Sequence, residues 1–178
     1  MKLYIVRHGE TPWNELTKIQ GHMDIPLNST GLSQAAITRD LLKDIKIDRI
    51  FSSPLKRAKM TADVINENYG LQIICDDRLK ERDYGEFTGF LRGTYDYKGM
   101  WKYRENNTYK LAENVQVFFK RIYDFLDEIK AKYPNDNVLV VAHAGVMKAV
   151  ECYAHGILPD DEIGPFVPKN CSYLEYDI

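Results

Sequence analysis

Two histidines of this chain directly follow short apolar runs, His8 after Leu3, Tyr4, Ile5 and Val6, and His143 after Val138 to Ala142. Such runs read as buried strands, and ligands of open α/β sheets bind beyond the carboxyl ends of strands. Both histidines should therefore project from one edge of a sheet. A lone histidine is ordinarily structural, but each of these has company suited to an anion. Arg7 precedes His8, and the helix after His143 opens with Ala144 and Gly145, whose N–H groups lack an intrahelical acceptor. Together they describe an oxyanion pocket.

Arg57 is a third candidate, because Lys56, Arg57 and Lys59 crowd the first turns of a helix, where the macrodipole disfavours positive charge. A bound phosphate would offset that repulsion through the planar guanidinium fork; a solvated basic patch is the alternative. Other phosphoryl-transfer solutions are missing from the sequence. It has no Gly-x-x-x-x-Gly-Lys loop, no cysteine with an arginine six positions on, no Asp-x-Asp and no carboxylate-histidine cluster for a metal pair. Histidine remains as the nucleophile, with no metal or cofactor expected.

These residues need a scaffold. Strands are predicted at Leu3–Val6, Arg49–Ser53, Leu71–Cys75, Val138–Ala142 and Ser172–Tyr176. Helical faces are predicted at Leu32, Ala35, Ala36, Leu42 and Ile45; at Leu55, Ala58, Ala62, Ile65 and Tyr69 after a Ser53 cap and Pro54; and from about Gly145 to His155, ending at Gly156. The strongest stripe is Val115, Phe118, Phe119, Ile122, Leu126, Ile129 and Tyr133, ended by Pro134. Alternating strands and helices imply a three-layer α/β/α sandwich around a mostly parallel sheet. The 178 residues suit one domain, residues 1–178, with a lid-like insert at about 85–112.

Composition narrows the partners. A formal charge of -2 supplies no field for nucleic acid or anionic lipid. The apolar start is cut by Arg7, too early for a signal peptide or membrane span. Three scattered cysteines, Cys75, Cys152 and Cys171, suggest reduced thiols, and the expected location is the cytoplasm.

The run Arg7-His8-Gly9-Glu10-Thr11-Pro12-Trp13-Asn14 resembles the opening signature of the histidine phosphatase superfamily, branch 1, whose fold is phosphoglycerate-mutase-like. The likeness continues through Gly21, Asp24, Pro26-Leu27, Gly31, Ser52-Ser53-Pro54 with Arg57-Ala58, Leu79 to Gly85, Val141 to Gly145 and Asn170-Cys171-Ser172. The resemblance implies that His8 is phosphorylated, that Arg7, Arg57 and His143 hold the phosphoryl oxygens, and that Glu81 transfers the proton. Asn14 and the Ala144 N–H would add contacts, with Gly21 also at the substrate. From sequence alone Glu81 reads as a surface carboxylate paired with Arg78 or Arg82. His22 is expected at the site rim and His155 as a helix C-terminal cation.

Two features depart from the family pattern. Ala112-Glu113-Asn114 stands where many members have Gly-Glu-Ser, and the arginine pair of the mutases is missing. The segment from Tyr84 to Tyr109 holds Tyr84, Phe87, Phe90, Tyr95, Tyr97, Trp101, Tyr103 and Tyr109 among Arg92, Lys98, Lys102 and Arg104. It is either a loop packed by its own rings or a lid whose Trp101 meets the organic part of the substrate. The expected activity is metal-independent hydrolysis of a small phosphomonoester. Phosphoglycerate mutation and non-catalytic binding of phosphate or phosphopeptides are the alternatives.

Overall fold

The first apolar run forms β1 (Lys2–Arg7), followed by the short α1 (Pro12–Glu15), α2 (Ser29–Leu42), β2 (Arg49–Ser52), α3 (Lys56–Asn66) and β3 (Ile73–Cys75). After β3 come 3₁₀ turns at Asp77–Leu79 and Gly85–Phe87, then α4 (Tyr97–Met100), α5 (Val115–Lys132), β4 (Asn137–Ala142), α6 (Ala144–His155) and β5 (Tyr173–Asp177). The computed structural model describes residues 1–94, 97–157, 163 and 166–178. Among them, no helix is long and apolar enough to cross a membrane.

The sheet runs β3-β2-β4-β1-β5, with the first four strands parallel and β5 antiparallel to β1. Because successive strand residues face opposite ways, each strand feeds two cores. Tyr4, Val6, Ile50, Leu139 and Val141 pack with Leu42, Ala58, Ala62 and Ile65 on the side of α2 and α3. Leu3, Ile5, Phe51, Val138 and Val140 pack with Phe118, Ile122, Val146 and Val150 on the side of α5 and α6. Three layers result, as predicted.

Register does the positioning. β1 and β4 pair with Arg7 opposite Ala142, and the His8 N–H donates to the Ala142 carbonyl at 2.9 Å. His8 and His143 therefore leave the same sheet edge as neighbours.

Several boundaries differ from the predictions. The buried face of α2 is Gly31, Ala35, Thr38 and Leu42; Leu32 is exposed and Ile45 lies past the helix end. Hydropathy passes over Gly31 and Thr38, yet a Cβ on Gly31 would meet the Glu10 carbonyl at 2.1 Å, and the Thr38 hydroxyl donates to the Cys171 carbonyl at 2.7 Å. α3 begins at Lys56 rather than Pro54, because Asp24 from another loop accepts the Lys56 N–H at 2.6 Å and caps it. It ends at Asn66, before Tyr69, whose hydroxyl donates to the Leu42 carbonyl. β3 starts at Ile73, since the Leu71 N–H is taken by the Asn66 side chain. β5 starts at Tyr173. α5 buries the predicted stripe from Val115 to Ile129 together with Phe125, under an Asn114 cap, while Tyr133 lies past the helix end and is half-buried.

The aromatic segment is packed by its rings. Tyr84 and Phe118 meet Trp101 edge-on, Phe87 meets Phe90 and Tyr109, and Tyr103 lies on Phe119 of α5. Its first part is strapped to the loop after α1: the Gly89 N–H donates to the Ile19 carbonyl and the Arg92 N–H to the Thr17 carbonyl. Tyr95 and the Tyr97 side chain lie outside the described residues.

Candidate active site

His8 is almost fully buried where β1 ends. Its Nδ1 lies 2.7 Å from the Gly9 carbonyl oxygen. A carbonyl only accepts, so Nδ1 carries the proton and Nε2 holds the lone pair. Burial first, then Arg57 and Arg7, hold its pKa well below 6.5, and the ring is uncharged and nucleophilic at neutral pH. The surrounding loop is tied down: the Gly9 N–H donates to Thr61 at 3.0 Å and the Asn170 amide to the His8 carbonyl at 2.9 Å.

Arg57 is fully buried in the first turn of α3 and is no part of a solvated patch. Its Nη1 and Nη2 donate to the Met23 and Gly21 carbonyls at 2.7 and 2.8 Å, while Nε is sealed from solvent with no hydrogen-bond partner among the described residues. Burial pushes the guanidinium down to about 10, which leaves it charged at neutral pH. The repulsion read at this helix start is relieved within the protein, because Asp24 faces Lys56 and Asp63 faces Lys59. Arg7 donates to the Pro168 carbonyl at 2.6 Å.

The His143 ring centroid lies 5.2 Å from that of His8. Its Nε2 meets the Ser53 hydroxyl at 2.8 Å, and its Nδ1 is buried with no hydrogen-bond partner among the described residues. Burial, then Arg57 and His8, push its pKa well below 6.5. Ser53, expected as a helix cap, instead orients this ring.

Glu81 is buried and pairs with neither Arg78 nor Arg82. Arg78 reaches Asp76 and Glu128, and Arg82 turns its guanidinium to the Glu113 and Met100 carbonyls. Glu81 Oε1 accepts the Arg82 N–H at 2.9 Å and Oε2 accepts the Gly145 N–H at 3.2 Å. One of the α6 amides expected for an anion thus holds this carboxyl group. The Glu81 carbonyl is clamped in turn by Arg121 at 3.0 Å and His22 at 2.8 Å.

A cleft of about 500 Å³ opens here, lined by Arg7, His8, Arg57, Glu81, Ala144 and Gly145. Asn14 and Gly21 also line it, and Trp101 forms part of its wall while being 1% exposed. His143 is fully buried against His8, beside the lining residues. His155 sits at the far end of α6 beside Glu151. Sequence reasoning missed Gln20, Lys18 and Lys148, which line the same cleft. The signal for Lys148 was a single charge amid the apolar Val146, Met147, Ala149 and Val150.

Attack on phosphorus by a neutral imidazole is the chemistry this cleft is equipped for, which makes the protein one of the α/β phosphatases that pass phosphate through histidine. The family model described as the histidine phosphatase superfamily (branch 1) matches residues 3–178, and the chain belongs to that family. It is 42% identical to an uncharacterized phosphatase, PhoE, of Bacillus subtilis over 97% of this chain and 86% of the relative. It is 35% identical to the metal-independent phosphoserine phosphatase of Arabidopsis thaliana, over 84% of this chain and 66% of that one. A crystal structure of a histidine-to-alanine mutant of Entamoeba histolytica phosphoserine phosphatase in complex with phosphoserine superposes with a TM-score of 0.84 at 26% identity, covering 98% of this chain and 89% of the other.

Proposed function

We propose that the protein hydrolyses a small phosphomonoester, of about the size of the phosphoserine named for two of its relatives, through phospho-His8 and without a metal ion. The observation that carries this reading is the fixed tautomer of His8: Nδ1 is committed to the Gly9 carbonyl, so Nε2 faces the chemistry with its lone pair. Beside it, Arg57 Nε and His143 Nδ1 are buried polar atoms with no hydrogen-bond partner among the described residues, and a phosphoryl group would answer them. In the tautomer in which the Ser53 hydroxyl donates to His143 Nε2, Nδ1 carries the N–H that a phosphoryl oxygen would accept.

In the first step His8 Nε2 attacks phosphorus and the bond to the ester oxygen breaks. That oxygen takes the proton of Glu81 as it leaves. In the second step water attacks the phosphohistidine and gives a proton back to Glu81; the electron pair of the P–N bond returns to Nε2 and inorganic phosphate departs. Arg7, Arg57 and His143, with the Asn14 amide and the Ala144 N–H, carry the charge on the phosphoryl oxygens. Gly21 serves through its carbonyl, which fixes Arg57. From the insert, Arg92 and Trp101 line the cleft, with Trp101 against the organic moiety. The three cysteines form no disulfide among the described residues, which suits a reducing compartment, the cytoplasm.

The test is rapid quench with a labelled substrate, such as ³²P-labelled O-phosphoserine. Acid-labile, base-stable phosphate should be trapped on His8, and His8→Ala should have no turnover. Label on another residue, or an active His8→Ala, overturns the reading.

A further inference from the structure

The peptide unit between Glu81 and Arg82 holds the Glu81 carboxyl group at one end and is itself held at the other. A peptide bond is planar and trans, so its C=O and N–H point opposite ways and turn together. The Arg82 N–H donates to Glu81 Oε1 at 2.9 Å. The Glu81 carbonyl accepts from Arg121 Nη2 at 3.0 Å and from His22 Nε2 at 2.8 Å. Two donors use both lone pairs of that oxygen, and any rotation of the plane would swing the N–H away from the carboxyl group.

The two donors come from different elements. Arg121 belongs to α5, where Glu113 grips it at 2.7 and 3.0 Å, and it also serves the Arg78 and Lys80 carbonyls. It thus secures the chain running up to Glu81 as a whole. His22 reaches the same oxygen from the loop between α1 and α2, in a turn closed by the Met23 N–H on the Gln20 carbonyl at 2.9 Å. The Gly21 and Met23 carbonyls on either side of it accept Arg57 Nη2 and Nη1. One stretch of three residues therefore holds the proposed phosphate-binding arginine through its backbone and the proposed acid through a side chain. Because a carbonyl only accepts, His22 Nε2 carries a proton. Nδ1 stands 3.7 Å from Asp83 Oδ2, beyond a direct hydrogen bond, so the bond to the Glu81 carbonyl is what the ring contributes.

We propose that His22 is a positioning residue for proton transfer: through its Nε2–H it fixes the plane of the Glu81–Arg82 peptide, and so keeps the Glu81 carboxyl group where the leaving oxygen takes up the proton. The inference rests on the reading of Glu81 as the acid of the phosphohistidine reaction. His22 touches neither substrate nor phosphate in this role; it acts through Glu81 alone.

The experiment is a double-mutant cycle read with two leaving groups. It compares kcat/KM for O-phosphoserine and p-nitrophenyl phosphate, with Tm, in the wild type, His22→Ala, His22→Asn, His22→Gln, Glu81→Gln and the double variant of His22→Ala with Glu81→Gln. Glutamine carries its amide nitrogen where Nε2 stands, whereas asparagine reaches only as far as Nδ1. His22→Ala and His22→Asn should lose about tenfold on O-phosphoserine, the scale of one hydrogen bond, and clearly less on p-nitrophenyl phosphate. His22→Gln should stay within about threefold of wild type. Once Glu81→Gln has removed the acid, His22→Ala should cost nothing further on O-phosphoserine, because the two residues act as a unit. Equal losses on both substrates, a full additional loss in the double variant, or no recovery in a His22→Gln of unchanged Tm overturns the proposal. Where His22→Ala does not fold, His22→Asn takes its place in both comparisons. Label on His8, and a Glu81→Gln loss greater on O-phosphoserine than on p-nitrophenyl phosphate, are both measured with His22 in place. They keep a failure of this proposal separate from a failure of the phosphohistidine reading.

Discussion

The Gly145 N–H donates to Glu81 Oε2 at 3.2 Å, and a Cβ on Gly145 would lie 2.2 Å from Glu81 Oε1. The same Cβ would come within 3.0 Å of the Trp101 ring. Position 145 thus admits only glycine while the carboxyl group stays where it is, and the first turn of α6 both seats the proposed acid and limits its movement.

Gly145→Ala should therefore behave like a displaced Glu81. Both it and Glu81→Gln should slow alkyl phosphates by roughly 10²- to 10⁴-fold, the scale of general acid catalysis. p-Nitrophenyl phosphate should suffer less, because its leaving group hardly needs a proton. Steady-state kinetics on the two substrate types decide it, and equal losses would remove Glu81 from the role.

Arg57→Ala should cost on the order of 2.7 to 4 kcal/mol of transition-state stabilisation, by analogy with the loss of one oxyanion donor. Arg57→Lys should recover little, since one ammonium cannot serve Gly21 and Met23 while also presenting an Nε–H. In the wild type, kcat should be unaffected by EDTA. A mutant effect below tenfold, or metal-restored activity, contradicts this account.

Acid should loosen the fold through the two buried rings. The pKa values of His8 and His143 are lowered in the folded state, so the unfolded chain binds more protons below about 6.5. Stability is then lost as pH falls from 6.5, by up to about 1.4 kcal/mol per pH unit for each ring. Lys148, pushed down from 10.5 to about 7, has the same sign in a higher window, so its contribution to stability rises from about pH 7 to 10.5. Urea unfolding at pH 7, 6 and 5 measures the histidine effect, and a flat profile would refute it.

Trp101→Ala should lower stability by about 3 to 5 kcal/mol, the usual range for emptying a large aromatic site, and Tm by roughly 10 °C. Trp101 packs on Tyr84 and Phe118 and also walls the cleft, so every substrate should be affected. Calorimetry with kinetics on O-phosphoserine and p-nitrophenyl phosphate tests this; an unchanged Tm with loss confined to one substrate would make the ring a binding residue alone.

The sequence by itself determined the strands that end in Arg7-His8 and in Ala142-His143, the apolar stripe of α5 and the layered α/β architecture. These signals are local: unbroken apolar runs and three-to-four spacing report burial whatever the rest of the chain does. It also singled out Arg57, by its charge at a helix start, although Asp24 relieves much of that repulsion. What tertiary structure decided is which partner each polar group meets. Glu81 looked like a partner for its neighbouring arginines until the fold brought Gly145 to it. Ser53 looked like a helix cap until β2 and β4 set it against His143. Lys148 is legible only as one charge on an apolar helix face, and its place in the cleft depends on the register of α6 against Glu81 and Trp101. Hydrogen-bond partners are chosen across the chain, at distances that spacing along the sequence does not encode.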